Sequence, residues 1–78
     1  MKQTHYFSVN VLAKRPEIKI EWIMETLESP DARTVQPDGR LRFWRRIPAF
    51  ENRALRVVTL ADGETIHNAF FDRDYKGD

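Results

Sequence analysis

The strongest periodic pattern along the chain predicts a helix over Ile20–Glu28. Four apolar residues recur every three or four positions and would share one side of that helix: Ile20, Ile23, Met24 and Leu27. We expect this stripe to be buried, with Leu27 in the core. Ser29-Pro30 ends the helix, because the residue before a proline avoids helical backbone angles.

The segment before this helix, Thr4–Lys14, fits two structures equally well. The alternation of apolar and polar residues over 7–11 is typical of a strand. The same segment also carries apolar residues at helical spacing, and Thr4 would be a suitable N-cap for that helix. The residues alone leave both alternatives open.

Beyond Asp31 the pattern changes to a period of two, which is typical of antiparallel strands. The predicted strands are Arg33–Gln36, Arg40–Ile47, Ala54–Leu60 and Thr65–Asp72, with a turn at Pro37-Asp38-Gly39, a loop over Pro48–Arg53 and a turn at Asp62-Gly63. The chain is therefore predicted to form a single α+β domain over residues 1–78. In this domain, two N-terminal helices pack on a three- to four-stranded antiparallel meander sheet.

The predicted strand over 40–47 separates apolar from basic side chains. Leu41, Phe43 and Ile47 point to one face of the sheet. The other face of this strand carries Arg40, Arg42, Trp44 and Arg46.

A two-residue turn at Asp62-Gly63 would fix the register of the last two strands. It pairs Thr59 with Ile66, Val58 with His67 and Arg56 with Ala69. The face toward the helices then carries Leu55, Val57, Thr59, Ile66, Asn68 and Phe70. The outer face carries Arg56, Val58, Leu60, His67, Ala69, Phe71 and Arg73. This register sets Arg56 and His67 diagonally across the hairpin, roughly 7 Å apart at Cβ.

Composition places the chain among globular domains and excludes several kinds of site. Of its 78 residues, 41% are hydrophobic and 12% aromatic, which is enough for a thin core. The absence of cysteine excludes disulfides, thiolate zinc sites and thiol nucleophiles. Two histidines are too few for a metal site, and no glycine-rich nucleotide motif occurs, so we predict no metal and no cofactor. Without a membrane-length apolar run or a signal-peptide pattern, we predict a soluble, cytoplasmic protein that does not bind membranes.

The net charge of +1 is unevenly distributed along the chain. Residues 1–39 sum to −1, residues 40–56 to +5 and residues 57–78 to −3, and the central block holds six arginines against one acidic residue. A local basic block of this kind favours an anionic partner such as RNA. The alternative is a solvated face whose arginines pair with nearby carboxylates.

Aromatic residues beside the arginines strengthen the expectation of nucleic-acid binding. Arginine forks match phosphate oxygens, while Trp44 and Phe71 would stack on bases, as in single-stranded RNA recognition. Three acidic residues near the C-terminus are expected to shield this face weakly: Asp72, Asp74 and Asp78.

Short motifs along nearly the whole chain form a set. They are His5, Arg15, Ile18, Leu27 followed by Ser29-Pro30, Asp38-Gly39-Arg40, Leu55-Arg56-Val57-Val58 and Ala69-Phe70-Phe71-Asp72-Arg73. This set resembles small bacterial proteins related to the BrnT toxin, within the RelE/ParE-like toxin superfamily. The resemblance implies two helices followed by a curved antiparallel sheet, which favours a helix over Thr4–Lys14. It also implies an mRNA-cleaving toxin that a co-expressed antitoxin neutralises.

Metal-independent RNA cleavage requires an acid–base group and cations beside the scissile phosphate. His67 is the candidate catalytic acid or base, because the ordinary histidine pKa lies near 6.5, and Arg56 is its candidate partner. The candidate binding residues are Arg40, Arg42, Trp44, Arg46, Arg73, His5 and Arg15. Two alternatives are a non-catalytic module that binds nucleic acid or an acidic protein through this face, and a scaffold whose arginines pair internally.

Overall fold

The computed structural model describes residues 2–77 and shows an α+β fold with a four-stranded antiparallel sheet. The strands lie side by side in chain order: β1 (Ala32–Val35), β2 (Leu41–Ile47), β3 (Arg53–Thr59) and β4 (Ile66–Phe71). The predicted class and the antiparallel meander are confirmed. Every helix within residues 2–77 is too short or too polar to span a bilayer.

The segment Thr4–Lys14 is helical, as the family resemblance implied, and forms a π-helix over Phe7–Leu12. Oγ1 of Thr4 accepts a hydrogen bond of 3.2 Å from the backbone N–H of Phe7, which is the role of an N-cap. Phe7 and Val11 are buried here, whereas Val9 is 50% exposed. A strand would place all three on one side, so their burial pattern is that of a helix.

The helix α1 spans Ile20–Glu28, the bounds that the sequence predicts. Its buried residues are Ile23 and Thr26, both 0% exposed. Ile20 and Met24 are 39% and 44% exposed, so the prediction that the whole apolar stripe is buried is wrong. The helix is rotated about its axis relative to that prediction.

The rotation of α1 follows from the residues that fill the core beside Ile23. Thr26 is buried like an apolar residue because its hydroxyl donates to the carbonyl oxygen of Trp22 at 2.8 Å. Trp22 lies edge-on to Phe71, with ring centroids 6.1 Å apart. Leu27, which we expected in the core, is only partly buried and packs against its margin.

The hydrophobic core lies between the helical segments and one face of the sheet, and we call the opposite face the open face. The buried core residues are Phe7, Val11, Ile18, Ile23, Ile47, Leu55, Val57, Ile66 and Ala69. On β2, Leu41, Phe43 and Ile47 are buried while their neighbours are partly exposed. The predicted alternation of this strand is therefore confirmed.

The last hairpin contains a β-bulge that the sequence did not predict. Thr59 pairs with Ile66 as expected, but Val58 then pairs with Asn68, and His67 is the extra residue. The predicted pairing of Val58 with His67 is therefore wrong. The turn itself is also longer than predicted, because the backbone hydrogen bond from Leu60 to Thr65 closes a four-residue loop.

The bulge reverses the faces of all β4 residues that follow it. Ala69 and Phe71 lie on the core side, while Asn68 and Phe70 lie on the open face, which is the opposite of the prediction. Next to the bulge, the backbone of Ile66 pairs with the N-terminal residues. Ile66 donates its N–H to the carbonyl of Lys2, and its carbonyl accepts from Thr4, both at 2.9 Å.

Candidate nucleic-acid interface

Three neighbouring strands place an arginine between two aromatic rings on the open face. The register aligns Trp44 on β2, Arg56 on β3 and Phe70 on β4 in one cross-strand row. The Arg56 guanidinium carbon lies 5.5 Å from the Trp44 ring centroid and 5.2 Å from that of Phe70. Both distances are within the range of cation–π attraction.

Further aromatic and arginine side chains extend this triad at both ends. Tyr75 stacks on Trp44, with centroids 5.6 Å apart and planes inclined by 16°, and the Arg46 guanidinium lies 5.4 Å from the Tyr75 centroid. At the other end, the Arg15 guanidinium lies 5.8 Å from the centroid of Phe70. The resulting arginine–aromatic row consists of Arg46, Tyr75, Trp44, Arg56, Phe70 and Arg15.

Arg56 at the centre of the row is incompletely neutralised. One carboxylate oxygen of Asp72 accepts a hydrogen bond from Trp44 Nε1 at 2.9 Å and lies 3.7 Å from Nη1 of Arg56. The second distance is longer than a hydrogen bond. Within residues 2–77, the buried Nε of Arg56 has no hydrogen-bond acceptor. Because that Nε is buried, a further anionic partner can reach only the exposed part of the side chain, which is 23% of its surface.

A cleft of about 630 Å³ opens beside the row, where β2 ends, β3 begins and β4 ends. Four arginines line this arginine cleft: Arg15, Arg46, Arg53 and Arg73. Three carboxylates also line it: Glu17, Glu51 and Asp72. Glu51 pairs with Arg53 at 2.9 Å, whereas Arg73 forms no ion pair within the described part of the chain.

Arg15 is held in place at the edge of β4. Its Nη1 donates to the carbonyl oxygen of Ala69 at 2.8 Å and to Oδ1 of Asn68 at 3.2 Å. These bonds fix one side of the guanidinium beside Phe70. The structure thus brings Arg15, Arg46 and Arg73, three of the predicted binding residues, to one cleft.

His67 lies at the bulge, away from this row. Its Nδ1 shares a hydrogen bond of 3.0 Å with Oγ1 of Thr4, and its ring stacks on Tyr6 with centroids 5.1 Å apart. Partial burial lowers the pKa of His67 below its ordinary value, the charge of Arg40 lowers it further, and Asp38 opposes the shift. This shift favours the neutral form of the imidazole.

The predicted diagonal contact between Arg56 and His67 is wrong. Arg56 pairs with Phe70, so the diagonal neighbour on the side of the bulge is Asn68 rather than His67. The inserted residue at the bulge is the physical reason, because it shifts the register by one. The candidate residues therefore form two groups along the sheet. One group is the arginine–aromatic row with its cleft, and the other is His67 with Arg40 near the bulge.

The remaining predicted binding residues divide between these groups. Arg42 lies on the open face, two residues from Trp44, and its Nε is buried without an acceptor within residues 2–77. Arg40 pairs with Asp38 at 3.6 Å, on the side of His67. His5 is exposed at the start of the first helical segment.

The sequence did not identify Phe70 and Tyr75 as members of the arginine–aromatic row. Phe71, which we expected to stack on bases, instead stacks on Phe50 at 4.4 Å on the core side. The bulge, which no local pattern marks, places Phe70 on the open face. Tyr75, in contrast, can be recognised from the sequence. It is the one aromatic residue in the charged segment 72–77. Asp78 lies outside the described residues, so its expected shielding role has no structural counterpart here.

Comparison of the chain with protein-family models, with curated proteins and with solved structures gave no significant match.

Proposed function

We propose that this chain is a BrnT/RelE-like protein that binds single-stranded RNA through the open face and the arginine cleft. In this proposal, the helical segments packed on the meander sheet correspond to the two N-terminal helices that the resemblance implies. An antitoxin protein would neutralise the chain by covering the same arginines. The observation that carries the proposal is the arginine–aromatic row.

The row supplies both kinds of contact that single-stranded RNA needs. Bases stack on aromatic rings whatever their sequence, and guanidinium groups bind the phosphates between them. In the row, Arg56 lies 5.5 Å from the Trp44 ring and 5.2 Å from the Phe70 ring, and Arg15 lies 5.8 Å from Phe70. An acidic protein segment would pair with the arginines, but the aromatic rings beside them would contribute little to its binding. The geometry therefore favours RNA as the partner.

The charged groups around the row favour phosphate over internal pairing. Arg73 and Arg42 form no ion pair within residues 2–77, and Arg56 lies 3.7 Å from the carboxylate of Asp72. Arg53 and Arg40 are paired with Glu51 and Asp38, so internal pairing accounts for only part of the basic block. We assign Arg42, Arg46 and Arg73 to phosphate contacts.

RNA binding is tested by fluorescence anisotropy with a short unstructured RNA at several salt concentrations. Arg73→Ala and Arg42→Ala should weaken binding and flatten the salt dependence, each by a slope of about 0.7 for one lost phosphate contact on a single strand. Arg33→Ala is the matched control, because Arg33 lies on the core side of β1, over the ring of Phe43, and carries the same charge. If all three variants weaken binding equally, binding depends on net charge and not on the positions of Arg42 and Arg73. Wild-type protein that binds no RNA at about 50 mM salt would refute the proposal.

Metal-independent RNA cleavage is a second candidate function, and the observation that favours it is the position of the His67 imidazole, whose Nδ1 is held by Oγ1 of Thr4 at 3.0 Å. A neutral imidazole can take the proton of a ribose 2′-OH as the oxygen attacks the adjacent phosphorus, and an acid then protonates the leaving 5′-oxygen. Arg40 is a cation whose charge acts on His67. Incubation of RNA with protein in EDTA should give products that disappear in His67→Ala, while a non-catalytic binding module would give none.

A further inference from the structure

The chain beyond β4 folds back over the open face. Asp72 begins this segment, and its carboxylate accepts a hydrogen bond of 2.9 Å from the backbone N–H of Asp74. The resulting turn lays Tyr75 on Trp44. Arg46 contacts the end of the segment, where its Nη2 lies 3.5 Å from the carbonyl oxygen of Gly77.

Two contacts of this segment resemble contacts that a nucleotide would make. The Tyr75 ring is inclined by only 16° to the Trp44 ring, which is the geometry of a stacked base. The Asp72 carboxylate lies 3.7 Å from the Arg56 guanidinium, where a phosphate would bind. The ring and the anion belong to one short stretch of chain, as the base and phosphate of one nucleotide do.

We propose that residues 72–77 are an intramolecular competitor for the RNA site, with Tyr75 in the position of a base and Asp72 in that of a phosphate. This inference rests on the proposed RNA-binding function and specifies its regulation. RNA binds by displacing the segment from Trp44 and Arg56. The Trp44 ring is then the base subsite, and the arginine cleft beside it holds the neighbouring phosphates.

The segment is held by contacts that RNA can replace. It forms no strand pairing beyond Asp72, whose N–H donates to Ala54 at 2.8 Å. Tyr75 is only partly buried. A stacked aromatic pair changes an equilibrium by about 2- to 13-fold, so removing the Tyr75 ring should tighten RNA binding by a factor in that range.

The decisive experiment measures RNA affinity by fluorescence anisotropy for wild type, Tyr75→Ala and Tyr75→Phe. Tyr75→Ala should bind about 2- to 13-fold more tightly than wild type. Tyr75→Phe is the matched control, because it keeps the stacking ring and should match wild type. Asp72→Asn should also tighten binding, since the amide oxygen can still accept from Trp44 Nε1 but carries no charge to compete with phosphate.

The outcomes separate this inference from the proposed function. If wild type binds RNA and Tyr75→Ala binds it equally or more weakly, the competitor is overturned and RNA binding stands. Weaker binding would identify Tyr75 as a ligand contact. Absence of RNA binding in every variant overturns the proposed function itself. Binding by wild type that becomes tighter in Tyr75→Ala supports both.

A spectroscopic readout tests the displacement directly. Cross-relaxation between the Tyr75 ring and the Trp44 indole protons should be observed in the free protein and lost when RNA saturates the site. The Trp44 indole N–H resonance should shift in the same titration, while that of Trp22, on the core side, stays in place. Tyr75–Trp44 cross-peaks that persist at RNA saturation would overturn the inference.

Discussion

The helix α1 offers a matched pair of substitutions that tests how it is rotated in the structure. Ile23 is 0% exposed and Met24 is 44% exposed, although both belong to the apolar stripe that the sequence predicts to be buried. We therefore expect Ile23→Ala to be strongly destabilising and Met24→Ala to be nearly neutral.

The magnitudes follow from burial. Removing a fully buried isoleucine side chain costs about 2–5 kcal/mol, because the lost transfer free energy is increased by the cavity that remains. A chain of this size has a total stability of about 4–12 kcal/mol, so Ile23→Ala removes a large fraction of it. At about 4–8 °C per kcal/mol, the thermal midpoint should fall by about 10 °C or more. For Met24→Ala we expect a change within about 0.5–1 kcal/mol, since an exposed side chain leaves no cavity.

The assay is urea unfolding followed by circular dichroism, with thermal melts in parallel. Alanine is favourable in helices in both variants, so helix propensity does not explain a difference between them. A lower midpoint at unchanged m-value would identify a loss of stability rather than a change in the unfolded ensemble. Leu27→Ala, at the margin of the core, should lie between the two.

Comparable destabilisation by Ile23→Ala and Met24→Ala would refute the rotation. It would mean that α1 buries the whole stripe of Ile20, Ile23, Met24 and Leu27, as the apolar spacing alone predicts. A small effect of Ile23→Ala would refute the assignment of this residue to the core.

Three further predictions concern pH and binding. The lowered pKa of His67 means that the unfolded chain binds the proton more tightly, so stability should fall as the pH drops below about 6.5, and His67→Gln should flatten that dependence in urea titrations. The pKa of Asp62 is lowered to about 2, first by the Thr65 hydroxyl and then by backbone N–H groups of the turn, so its stabilising effect should be lost between pH of about 4 and 2. Asp62→Ala melts should lack that acid transition, and an unchanged transition would assign it to other carboxylates. Arg56→Ala should weaken RNA binding and, in near-ultraviolet circular dichroism, change the signal of Trp44, whereas unchanged affinity would remove Arg56 from the interface.

Local patterns in the sequence determined most elements of this protein, although the residues of Thr4–Lys14 fit a strand and a helix equally well. The stop signal at Ser29-Pro30 and the apolar spacing before it fixed α1 at Ile20–Glu28. Alternation fixed which side chains of β2 face the core, and Asp38-Gly39 and Asp62-Gly63 marked the two turns. Each of these features depends on neighbours within a few residues, so one sequence contains the information.

Only the tertiary structure decided how these elements combine into an interface. The bulge at His67 reversed the faces of Asn68 to Phe71, so Phe70 rather than Phe71 joined Arg56 on the open face. Nothing in the alternation of β3 and β4 marks an inserted residue, and one such residue exchanges the faces of every side chain after it. The stacking of Tyr75 on Trp44 is likewise invisible locally, because it joins residues far apart in the chain. The residue types at the candidate site were readable from the sequence, whereas their arrangement depends on long-range contacts that a single sequence does not record.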